Sequence, residues 1–193
     1  MATVEWSFRY LVASTVVTAW MLGNEASARA GQSALDTRVR ATTGAAARLL
    51  AEGRCRSPTL GSLTAQLERS DVVAFIEVSL DPAIGQGQTT LMGASSAARF
   101  LRVQVSARLA PNRQLEILGH ELQHAVEIAG RRDVRDRTSL REHYLKLGWQ
   151  LATSHDHETD AAREVERHVR REIAESIRTQ PSRGSRPCVS SDA

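Results

Sequence analysis

Aromatic residues are scarce in this sequence: three Trp, two Tyr and three Phe among 193 residues, 4% of the chain. Aliphatic residues and alanine must therefore fill most of any core, and the 41% apolar content suffices for one domain. No aromatics interleave with the arginines, so the stacking platforms of a single-strand nucleic-acid binder are missing. Lysine is scarcer still, with Lys146 alone among the basic residues and arginine making up the rest. From Arg131 to Arg178 those arginines alternate with acidic residues, as on solvated helix faces, and the net charge is only +3. No nucleic-acid partner is expected.

Long hydrophobic runs are also lacking. The best one, Leu11 to Leu22, would rise only about 18 Å as a helix, short of the ~30 Å core of a bilayer. Arg9 precedes it, and "ASA" and "ARA" at 26–30 offer small residues for cleavage, so residues 1–30 read as an export signal. A periplasmic or secreted location follows, with an uncleaved anchor as the alternative and no stable membrane insertion after cleavage. Cysteine is limited to Cys55 and Cys188, an even pair that suggests a disulfide in an exported protein. No cysteine near the cleavage site supports a lipid anchor. Residues 179–193 have the composition of a flexible tail, leaving 31–178 as one domain without internal repeat or linker.

Within that domain the pattern predicts a helix from Ser33 to Glu52 stopped by Gly53, and a second from Ser62 to Arg69. "DVVAFIEVSL" reads as a buried strand, "DPAIGQGQ" as a loop and "TTLMGA" as a short strand. "RFLRVQVSARL" alternates, with Leu101, Val103 and Val105 on one face, and reads as a half-exposed strand at a sheet edge. Helices follow from Pro111 to Gly130, from Thr138 to Leu147, and from about Asp156 to Arg178. Helices, a small sheet, then helices predict an α+β fold with a small, mostly antiparallel sheet packed against a buried metal-binding helix.

The chemistry centres on "LGHELQHAVEIAG". His120 and His124 are separated by about 400° of helical rotation, one turn apart on nearly one side, where two imidazoles can share a tetrahedral zinc ion. Glu121, about 100° from His120, points beside such an ion and can take a proton from an activated water. The helical wheel supports this reading. Leu115, Leu118, Leu122, Val126 and Ala129 form one apolar stripe, while Glu116, Gln123 and Glu127 share a polar face. The two histidines and Glu121 fall on neither side, near Ile117 and Ile128, so the helix is expected to be buried on two sides. Buried imidazoles and a carboxylate need partners.

His-Glu-x-x-His resembles the active-site helix of the zincin metallopeptidases, and the resemblance covers roughly residues 99–177. A metzincin would carry glycine and then histidine where this chain has Glu127 and Gly130, so that branch fails. In the gluzincin branch the third ligand is a glutamate on a following helix, and Glu142 and Glu158 both qualify. Angle favours Glu158. The stripe of its helix is Ala161, Ala162, Val165, Val169, Ile173 and Ile177, and one turn back lies Glu158. Glu164, Glu166 and Glu172 fit the solvated face. "ETDA" is similar to the Glu-x-x-Ala-Asp segment of some gluzincins, with Ala161 matching, Ala162 in place of aspartate and Asp160 as a substitute partner for a histidine.

The resemblance implies Zn2+ held by His120, His124 and Glu158, Glu121 as the catalytic general base, a peptide or protein substrate, and a sheet-edge strand, Arg99 to Ser106, that lines up the peptide. His143 or Tyr144 could steady an oxyanion, although packing suits Tyr144 and a surface position suits His143. One of His155 and His157, which flank the start of the ligand helix, could be an alternative ligand, although loop histidines near a site are more often bystanders, and His168 has no assigned role. The rival from another class is a non-catalytic, zinc-stabilised zincin-like binding protein of the cell envelope, and a weaker one is an arginine-rich binder of acidic partners.

Overall fold

The computed structural model describes residues 37–146 and 158–179. The chain divides into two compact units, Met1–Thr37 and Arg38–Ala193, and every element below belongs to the second. The expected export signal and tail, His155, His157 and Cys188 lie outside the described residues. Among those described, no helix is long and apolar enough to cross a membrane.

The order is β1 (Val39–Ala41), α1 (Gly44–Arg56), α2 (Pro58–Glu68), β2 (Val72–Ser79), a 3-10 turn (Pro82–Ile84), β3 (Gly87–Ala94), β4 (Arg99–Ser106), α3 (Pro111–Ala129), α4 (Arg137–Lys146) and α5 (Asp160–Thr179). This is an α+β domain, as the pattern predicts. The helix expected over Ser33–Glu52 is shorter at its start, because Val39–Ala41 pairs with β2 instead. Thr43 then caps α1 by accepting from the Ala46 N–H at 3.2 Å. Gly53 does not end α1. A Cβ there would sit 2.8 Å from Leu60 Cδ1, so the glycine is a notch into which α2 packs.

The sheet runs β1-β2-β4-β3. β1 and β4 each pair parallel with β2, and only β3 pairs antiparallel, with β4. The sheet is thus mixed, with parallel pairing in the majority, and not mostly antiparallel. β4 is central and not an edge. Its Leu101, Val103 and Val105 are fully buried as the alternation demands, but Gln104 and Ser106 on the other side are buried too. The sheet edge beside α3 is β3.

α3 is buried on two sides. Leu115, Leu118 and Leu122 enter the main core, while Ile117, His120, Glu121, His124 and Ile128 are also shielded from solvent. Its closest neighbour is α5. A Cβ at Gly119 would lie 2.8 Å from Val169 Cγ2, so here the small residue that lets the two helices approach is Gly119. Ala161 is exposed, whereas Ala162 is fully buried. On α5, Ala162, Val169 and Ile173 are buried and Val165 half-buried, whereas Ile177 at the end of the expected stripe is exposed. Glu172 of α5 is not solvated. It accepts from the Thr59 N–H at 3.2 Å and the Thr59 hydroxyl at 2.7 Å, and from the Ser57 hydroxyl, which places a negative charge at the positive end of α2.

Candidate metal centre

His120, Glu121 and His124 are each 6% exposed and line a cavity of about 240 Å³ between α3, the start of β3 and the start of α5. The two imidazoles meet edge-on at 74°, with Nε2 to Nε2 at 3.2 Å. Their other nitrogens face carboxylates. His124 Nδ1 lies 3.1 Å from Glu127 Oε2, and His120 Nδ1 lies 3.2 Å from Glu166 Oε2. The Glu127 contact is a hydrogen bond. The Glu166 contact is out of alignment, which leaves His120 Nδ1 buried without a hydrogen-bond partner. A proton on each carboxylate-facing nitrogen leaves both Nε2 lone pairs turned toward each other. Two lone pairs at that distance repel unless a proton or a cation lies between them.

A tetrahedral zinc ion with ligands at 2.0–2.1 Å separates neighbouring donor atoms by about 3.3 Å, so the two Nε2 atoms fit one edge of that tetrahedron. Glu158 Oε1, 3.6 Å from His120 Nε2, is the candidate third donor. Glu158 Oε2 meanwhile accepts from Arg163 Nε at 2.8 Å, and the residue is partly exposed. Among the described residues no three His, Cys, Asp or Glu are already gathered at metal spacing. The donor chemistry fits zinc.

Glu158 is held differently from expectation. α5 starts at Asp160, so Glu158 lies just before the helix and not on its stripe. Thr159 caps the helix: its hydroxyl accepts from the Ala162 N–H at 3.1 Å and donates to Glu127 Oε1 at 2.7 Å. One residue thereby ties the start of α5 to the carboxylate behind His124. Glu142, the competitor, is exposed and outside the cavity. Asp160 is exposed, and the carboxylates behind the histidines are Glu127 and Glu166. Sequence reasoning placed both on solvated faces. The i,i+3 spacing of His124 and Glu127 was the available signal for one, while Glu166 depends on a contact between distant helices. Arg113 bridges Glu166 and Glu116 and completes a charge network across the α3–α5 seam.

These surroundings set the proton affinities. Burial and the neighbouring His124 push His120 down, against the pull of Glu158 and Glu166. Burial also opposes charge on His124, but the Glu127 hydrogen bond and the carboxylates of Glu121, Glu127 and Glu158 hold it above the usual histidine range. Burial works against the charged form of Glu127, yet His124 and Thr159 keep it below its ordinary value. Burial raises Tyr144. Its ring stands edge-on to His124 at 6.2 Å, and it lines the cavity. His143 is also buried, close to Arg131 and away from the cavity, and His168 is exposed and paired with Glu164.

Glu121 is positioned by β3. The Thr89 hydroxyl lies 2.8 Å from Glu121 Oε2 and 3.0 Å from the Glu121 carbonyl oxygen. Gly87 lets the strand come close, since a Cβ there would be 2.5 Å from Ile117 Cγ2 and 2.9 Å from Glu121 Oε1. The Ser106 N–H donates to the Gln86 carbonyl, so by alternation Gly87 and Thr89 turn their main-chain groups to the open side of the sheet. Neither residue carries a sequence signal for this role. Gly87→Val is expected to displace Glu121 and cost about 1–3 kcal/mol by overpacking. A denaturation midpoint equal to that of the wild type would show that the gap is not needed.

No protein-family model matches the chain, and it matches no curated protein and no solved structure.

Proposed function

We propose that the protein is an exported zinc metallopeptidase of gluzincin type. The carrying observation is the facing pair of Nε2 atoms at 3.2 Å, each imidazole backed by a carboxylate. His120, His124 and Glu158 would hold the ion, with Glu127 and Glu166 orienting the imidazoles from behind. When bound, zinc supplies the Lewis acidity that activates a water and polarises a peptide carbonyl. Glu121 takes up the proton released from the water and passes it to the leaving amine. The Thr89 hydroxyl, 2.8 Å from Oε2, holds that carboxylate in place. The open main chain of Gly87 and Thr89 would accept an extended peptide as an added strand. Export rests on the Leu11–Leu22 stretch and its flanks.

The rival zinc-stabilised binding protein would share the metal pocket and lack hydrolysis. What favours hydrolysis is that Glu121 faces the cavity and is held beside the histidines without being spent on either Nδ1. The test is metal content of the full chain by elemental analysis, paired with cleavage of unfolded casein with and without chelator. About one zinc per chain is expected, lost in His124→Ala, strongly reduced in Glu158→Ala and retained in Glu142→Ala, as a site of three protein ligands requires. Zinc bound without chelator-sensitive cleavage would move the assignment to the binding protein. No zinc after loading and gentle dialysis would remove both.

A further inference from the structure

Beside the last turn of α3, a second cavity of about 580 Å³ opens between the end of α2, the start of β2 and the turn after α3. Its lining includes Arg38, Arg69 and Arg132, together with Val126 and Ala129. Arg69 and Arg132 are exposed and Arg38 is half-buried. Among the described residues, none of the three guanidinium groups makes an ion pair or a side-chain hydrogen bond.

Asp71 is the one acidic residue lining this cavity among those described, and it is already committed. Its Oδ1 and Oδ2 accept from Arg99 Nη2 at 2.6 Å and Arg99 Nε at 3.0 Å. Arg99 itself is fully buried and offers nothing to the cavity surface. The Asp71–Arg99 pair is therefore neutral as a unit, and the rest of the cavity lining carries three further positive charges and no negative one. The Glu68 carboxylate, outside that lining, accepts from the backbone N–H groups of Arg38 and Val39 at 2.7 and 3.1 Å and offsets part of this charge. Three like charges gathered on one concave surface repel one another and are relieved by a bound anion.

We propose that this cavity binds a small phosphate monoester. Guanidinium forks match the oxygens of a phosphate in pairs, and a dianion answers three guanidinium groups better than a single carboxylate does. The lining residues Val126 and Ala129 give the ester's organic group an apolar surface to cover. The site is separate from the metal centre, shares no lining residue with it, and does not depend on the peptidase reading.

The test uses the full chain, with phenyl phosphate as probe and benzoate as a control of similar body but one charge fewer, titrated by calorimetry at constant ionic strength. Saturable binding of phenyl phosphate at about one per chain, with benzoate at least about tenfold weaker, is expected. The double variant R69Q/R132Q should weaken phenyl phosphate by about tenfold or more while its thermal unfolding matches the wild type, since both side chains are exposed and make no described contacts. Absence of saturable binding, equal affinity for benzoate, or unchanged affinity in the double variant would each overturn the proposal. Zinc content, measured in parallel, is expected to be the same in both proteins, so a failure here is distinguishable from a failure at the metal centre.

Discussion

Glu121→Gln is expected to bind zinc like the wild type and to lose peptide hydrolysis by roughly 10²–10⁴-fold, the range attached to a positioned general base. The substitution keeps the side chain's size. Its carbonyl oxygen can still accept from the Thr89 hydroxyl, which lies 2.8 Å from Oε2 in the native protein. What disappears is the ability to take and return a proton. The measurement is kcat/KM on an unfolded protein substrate beside zinc per chain on the same preparation. Zinc retained with activity lost supports the assignment. Zinc retained with activity unchanged removes Glu121 from the mechanism, whatever the metal does.

The His-Glu-x-x-His angle was legible because it is a local property of one helix, and the structure brings His120, Glu121 and His124 to one cavity as that angle requires. Glu158 also reaches His120, but for a reason the pattern did not contain. The Thr159 cap starts α5 just after Glu158, which leaves Glu158 ahead of the helix where a place on its stripe was expected. Amphipathicity assigns a residue by its own helix alone. It therefore put Glu127 and Glu166 in solvent, although each is half-buried against an imidazole of α3. The sheet failed for a similar reason. Alternation at Leu101, Val103 and Val105 gives a strand its buried face but says nothing of how many neighbours it has, and β4 has one on each side. The role expected of β4 as the edge beside the site passes to β3, whose Gly87 and Thr89 look like ordinary loop and strand residues in sequence.

Arg99 shows the same blindness at its largest, and its removal is the second strong test. As the first residue of β4 it reads as an exposed strand end, yet it is fully buried. Beyond its two bonds to Asp71, it donates from Nη1 to the carbonyls of Ile128 and Arg131 at 2.6 Å and of Val134 at 3.3 Å, and from Nη2 to that of Ala129 at 3.0 Å. Ile128 and Ala129 lie in the last turn of α3, where carbonyls have no intrahelical partner. One guanidinium thus ties together the end of α3, the turn after it and the residue before β2. Arg99→Ala leaves a carboxylate and several buried carbonyls unanswered, and about 3–5 kcal/mol of destabilisation is expected, a large share of the ~5–15 kcal/mol that holds a domain folded. Arg99→Lys should fall between, because three donors on a flexible stem cannot span the same acceptors. The pH dependence supplies a separate signature. The hydrogen bonds from Arg99 hold Asp71 below its ordinary value of 3.8. A depressed carboxylate stabilises the fold above its unfolded pKa and loses that contribution as pH falls through the folded value. The gap between wild type and Arg99→Ala, measured by denaturant unfolding, should be full near neutral pH and narrow below about pH 4. A gap of the same size at both would mean that Arg99 acts through the main-chain carbonyls of Ile128, Ala129, Arg131 and Val134 alone. Loosening of the end of α3 and the turn after it would then be the whole effect, and Glu127, one residue before Ile128, the first group of the candidate metal centre to loosen.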